Sequence, residues 1–92
     1  MIIIKDISPQ APVHLLMIPR THYAGVNEMS ESESAVLGRC FYKLGRMEDK
    51  LGLTDGYRTI INRGSNGGQT VMHLHVHILG GKKLGEKMLQ IN

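Results

Sequence analysis

A single cysteine, Cys40, is all the thiol this 92-residue chain carries, which excludes an internal disulfide and fits a reducing compartment. Aromatic side chains are also scarce, three tyrosines and one phenylalanine, too few for the stacking platforms that bind single-stranded nucleic acid. No apolar run approaches the ~20 residues of a membrane span. The opening Met1 to Asp6 is too short for a secretory signal. Repeats and low-complexity tracts are missing as well. The formal charge of +3 comes from dispersed basic residues, a mild field that favours small anionic ligands over a nucleic-acid groove. These absences leave a soluble, cytoplasmic chain with neither nucleic-acid nor membrane partners. It reads as one domain over residues 1–92, with 82–92 as a tail, and a chain this short gains from association.

What is present is concentrated. Three of the five histidines, His73, His75 and His77, alternate with apolar residues between Val71 and Leu79. Period-two alternation predicts a half-buried strand with Met72, Leu74, Val76 and Ile78 facing a core and the imidazoles on the other face. Neighbouring imidazoles would then stand roughly 6.5 Å apart. Three readings fit such a row. It can be a solvated polar face. It can supply two metal ligands, although a structural zinc site usually takes further, often sulfur, ligands and Cys40 lies in another segment. It can also be a catalytic surface for phosphorus chemistry, with a neutral imidazole attacking and its neighbours holding anionic oxygens. The preceding run, Asn62-Arg63-Gly64-Ser65-Asn66-Gly67-Gly68-Gln69-Thr70, favours the third reading. Its glycines allow backbone amides to approach a ligand, and Thr70 adds a hydroxyl at the strand mouth.

The remaining elements follow from local pattern. Met1 to Lys5 and Val13 to Ile18 read as strands, the second bounded by Pro12 and Pro19. Ser30-Glu31-Ser32-Glu33 has the capping-box pattern. Val36, Leu37, Cys40, Phe41, Leu44, Met47 and Leu51 then recur at helical spacing until Gly52. Tyr57 to Asn62 and Val71 to Leu79 complete a β-β-α-β-β order, an α+β fold with one long helix on an antiparallel sheet. Gly38 and Gly45 leave a flat strip on that helix where another backbone can approach.

The run from Gly67 to His77 resembles the signature of the histidine triad superfamily. Asp6-Ile7-Ser8-Pro9-Gln10-Ala11-Pro12-Val13-His14 and Leu79-Gly80-Gly81 are similar to its histidine triad nucleotide-binding (Hint) branch, and the likeness extends from about Ile4 to Gly81. It implies a purine nucleoside phosphoramidase that cleaves a P–N bond with no cofactor and no metal. It implies His75 as the nucleophile, His73 and His77 flanking the phosphate, and His14 as a fourth active-site histidine. Thr70 would meet the leaving group or a phosphate oxygen, with Gly67, Gly68 and Gln69 in the phosphate loop. Asn62 would lie near the phosphate and ribose, Asp6 would bind ribose hydroxyls, and Ile7 would lie against the base. The resemblance also implies a two-fold homodimer through the residue 31–51 helix. Relative to that branch the chain begins inside a strand, so a preceding helix and strand that wall the base pocket are expected to be absent and base affinity weak. The tail resembles those of bacterial members and is expected to approach the partner's site. His22, in a loop after Pro19-Arg20-Thr21, is assigned to the surface. Two other functions remain open: a nucleotide-binding regulatory module without useful turnover, and a Fhit-like dinucleoside polyphosphate hydrolase.

Overall fold

Three successive isoleucines favour extended backbone, and β1 (Ile2–Lys5) ends where Asp6 begins a turn toward Pro9. β2 (Val13–Ile18) lies between two prolines that have no N–H to give a ladder. In the computed structural model, which describes residues 1–86, these strands pair antiparallel, Ile2 opposite Ile18 and Lys5 opposite Leu15. β3 (Tyr57–Ile60) and β4 (Val76–Gly80) complete one antiparallel sheet in the order β1-β2-β4-β3. The α+β class is as the sequence predicts.

Between β2 and β3 runs α1 (Glu31–Arg46). Its capping box forms in full: Ser30 Oγ accepts from the Glu33 N–H at 3.1 Å while Glu33 Oε1 accepts from the Ser30 N–H at 2.9 Å. The helix expected to continue to Gly52 breaks at Met47, whose N–H bonds to Leu44 one residue short of the helical partner. The short α2 (Glu48–Leu51) follows, and Gly52 stops it with a left-handed φ of 73°.

Alternation sorts the sheet into two faces. Leu15 and Met17 of β2 and Val76 and Ile78 of β4 form the core with Cys40 and Leu44 of α1 and with Leu53. Of the expected helical stripe, Val36, Leu37 and Leu51 are half-buried and Phe41 is exposed. Added Cβ atoms at Gly38 and Gly45 would meet nothing within 4 Å, so the helix strip stays uncovered among the described residues.

The last strand corrects the sequence reading. It starts at Val76, not Val71; Val71 and Met72 are exposed, so Met72 does not face the core. Residues 69–75 instead cross to the loop before α1, where Leu74 N–H bonds to Tyr23 O and Gln69 Nε2 to Ala24 O. The sequence alternates polar and apolar residues, but burial does not: Leu74 to Gly80 are all buried, Leu74 and His75 without pairing in the sheet. The tail from residue 87 onward lies outside the described residues.

Candidate active site

The site is assembled where β2 and β4 lie side by side. Leu16 stands opposite His77 and His14 opposite Leu79, which makes His14 and His77 diagonal neighbours on the face away from α1. Their rings meet: His14 Nε2 is 3.0 Å from His77 Nδ1. The ring of His75 stands edge-on to His77, with centroids 4.9 Å apart. The reactive face is therefore not the solvated surface that a plain strand would present. His14 is 4%, His77 3% and His75 9% exposed.

Buried imidazoles need partners, and those partners fix where each proton sits. The Gln10 N–H donates to His14 Nδ1 at 3.1 Å, so His14 carries its proton on Nε2 and donates to His77 Nδ1. His77 then carries its own proton on Nε2. His75 Nδ1 lies 2.7 Å from the carbonyl oxygen of His73 and must donate to it, which leaves the lone pair of His75 on Nε2. A backbone acceptor of this kind is what a nucleophilic imidazole needs to hold the attacking tautomer. Asp6 adds charge to the row, its Oδ2 3.5 Å from His14 Nε2 while Oδ1 accepts from the Ser8 N–H. Asp6, His14 and His77 each offer a ligand atom within 4.8 Å of those of the other two, close enough to share a divalent cation.

Two of the expected site residues are held by other protein groups. His73, expected beside the phosphate, turns its ring to His22, with the two Nδ1 atoms 3.1 Å apart and the rings perpendicular. It lies before the strand, as His75 does, and meets His75 through its backbone carbonyl. Gln69, expected in substrate binding, is buried with its amide occupied: Nε2 donates to Ala24 O and Val71 O, and Oε1 accepts from the Gly64 N–H and from Arg63. It holds the glycine loop in shape. In that loop Gly67 has no alternative, since a Cβ there would stand 2.5 Å from the Arg63 carbonyl oxygen. Gly67, Gly68 and Thr70 are exposed on the loop that feeds His73. Asn62 is half-buried two residues beyond Ile60, whose partner is His77, and is thereby brought toward the level of His75. Ile7 projects into solvent, 98% exposed, next to Asp6.

Sequence reading did not find the brace behind the site. Tyr23 O holds Leu74 N–H, and the Tyr23 hydroxyl donates to Glu33 Oε2 at 3.0 Å, tying the histidine segment to the first turn of α1. Burial raises the Tyr23 hydroxyl above its ordinary pKa of 10.0, and the Glu33 carboxylate adds to the rise. Glu33 is held below the usual 4.5, first by the Ser30 backbone N–H, then by the Ser30 hydroxyl and Tyr23. A depressed carboxylate contributes stability above its unfolded pKa, and that contribution is lost as pH falls through the folded value. Melting temperature measured from about pH 6 down to about pH 3 should therefore fall more steeply in the wild type than in Glu33→Gln. Parallel curves would show that Glu33 plays no such part.

With this geometry in place, the comparisons are consistent. The HIT domain family pattern matches residues 1–84, and the chain belongs to that family. An uncharacterised HIT-like protein of Synechococcus elongatus is 48% identical over 80 residues, covering 87% of this chain and 70% of that protein. A HIT family hydrolase from Clostridium thermocellum superposes with a TM-score of 0.85 at 46% identity, over 95% of this chain and 76% of that one. A histidine triad protein from Clostridium difficile superposes at 0.86 with 36% identity, over 94% and 76% of the two chains. The fold is that of HIT family hydrolases.

Proposed function

We propose that the protein is a Hint-type hydrolase that cleaves the P–N bond of purine nucleoside 5′-monophosphoramidates through a nucleotidyl-histidine at His75. The observation that carries this reading is the contact of His75 Nδ1 with the His73 carbonyl, which keeps a neutral imidazole lone pair on Nε2. That lone pair forms the N–P bond while the P–N bond to the amine breaks. The departing nitrogen takes the bonding pair and a proton from a solvent water, with His77 Nε2–H beside it and His77 Nδ1 occupied by His14. In the second step the hydroxide left by that water bonds to phosphorus, and His75 leaves as neutral imidazole. Splitting one displacement into two replaces one difficult step with two easier ones. The exposed Gly67 and Thr70 are available to phosphate oxygens, while the Gly68 N–H is already given to Ser65 O, and Asp6 and Ile7 are available to the nucleoside.

Adenosine 5′-monophosphoramidate should yield AMP and ammonia, before and after exhaustive chelation. Activity abolished by the chelator and restored by zinc would move the chemistry to a cation at Asp6, His14 and His77. Nucleotide binding without release of AMP would leave a regulatory module.

We also propose that the protein is a homodimer through α1, supported by the open Gly38 and Gly45 strip. Gly38→Trp finds room within one protomer but not against a second backbone, and is expected to yield monomer by sedimentation. A wild-type chain that sediments as monomer at micromolar concentration would contradict this.

A further inference from the structure

The peptide joining His73 to Leu74 is gripped at both ends. Its carbonyl accepts from His75 Nδ1 at 2.7 Å, and its N–H donates to Tyr23 O. Because a peptide is planar, fixing the N–H direction also fixes the carbonyl direction. The next residue back makes a second grip, the His22 ring standing edge-on to His73 with centroids 4.6 Å apart and the Nδ1 atoms 3.1 Å apart.

The proton in that contact has a preferred owner. His73 Nε2 is buried and has no partner among the described residues. A buried N–H left unpaired is rarer and costlier than a buried lone pair, so His73 Nε2 carries the lone pair and its proton lies on Nδ1. His73 Nδ1–H therefore donates to His22 Nδ1. His22 thereby becomes an acceptor that holds the His73 side chain in one orientation, while the adjoining Tyr23 carbonyl holds the backbone of the same residue.

Resting on the phosphoramidase reading, we propose that His22 is a positioning residue: by accepting from His73 Nδ1–H it holds the His73–Leu74 peptide so that its carbonyl keeps His75 in the attacking tautomer. His22 is exposed, and its ring meets that of His73. Its effect is on how often Nε2 of His75 presents a lone pair, which alters kcat rather than substrate affinity.

The test compares His22→Phe, which keeps a ring and loses the acceptor, with His22→Asn, whose amide oxygen can stand near the position of Nδ1. His22→Phe should lower kcat by about tenfold to a hundredfold with KM changed by less than about threefold. His22→Asn should recover most of that loss. Nitrogen-15 NMR of the free proteins should show His73 and His75 as single Nδ1–H tautomers in the wild type and a mixture at His75 in His22→Phe. A wild-type His73 protonated on Nε2 would overturn the proposal, even if no variant folded. So would a His22→Phe protein with wild-type kcat and an unchanged His75 spectrum, or a His22→Asn protein as impaired as His22→Phe. The spectra need no substrate. A tautomer change at His75 without any phosphoramidase turnover in the wild type would uphold the positioning role while refuting the activity.

Discussion

His75→Ala should lose turnover by several orders of magnitude while nucleotide affinity changes little. In the proposed mechanism the substitution removes the atom that attacks phosphorus and leaves the glycine loop, Asp6 and Ile7 in place, the signature of a loss confined to the transition state. Splitting kcat from KM is therefore part of the expected result. Steady-state assays on adenosine 5′-monophosphoramidate and calorimetric titration with AMP check the two halves. A loss seen only in KM would mean that His75 binds substrate and does not attack it.

The second large effect is expected in the loop that supports the site. Gln69→Ala leaves the Gly64 N–H and the Ala24 and Val71 carbonyls without the side chain that now pairs them, inside a partly buried loop. Such deletions cost about 1–3 kcal/mol for each group left without a partner, and the total here should be about 2–4 kcal/mol because loop groups regain some water. The urea midpoint should fall accordingly. Turnover should fall with it even well below that midpoint, because the same loop carries Thr70 and sets the path to His73. Gln69→Glu keeps an acceptor for Gly64 but points an oxygen at two carbonyls, and it should be no better. A Gln69→Ala protein with wild-type stability would show that water replaces the amide at no cost.

Much of the fold was legible because its signals are local. The capping box at Ser30 and Glu33, the prolines around β2 and the stop at Gly52 each act within a few residues, and each stands where the sequence puts it. The alternation of His73, His75 and His77 with apolar residues is real in the sequence, but it does not mark pairing throughout. Burial runs unbroken from Leu74 to Gly80, and only Val76 to Gly80 finds strand partners. The pairings that define the site were not legible from pattern. His14 meets His77 across 63 positions, and His22 meets His73 across 51. The resemblance placed His14 near the site, whereas nothing local to Pro19-Arg20-Thr21-His22 distinguishes a surface histidine from one that grips another. Gln69 illustrates the same limit: a polar residue in a glycine loop looks like a ligand contact until its four partners are seen.

The most direct test of covalent attack by His75 is the stereochemical course at phosphorus, using an adenosine 5′-phosphoramidothioate of defined configuration and isotopically labelled water. Two successive in-line displacements, one by His75 Nε2 and one by water, predict net retention. Net inversion would mean that water attacks phosphorus directly, and would contradict the nucleotidyl-histidine on which the proposed activity rests.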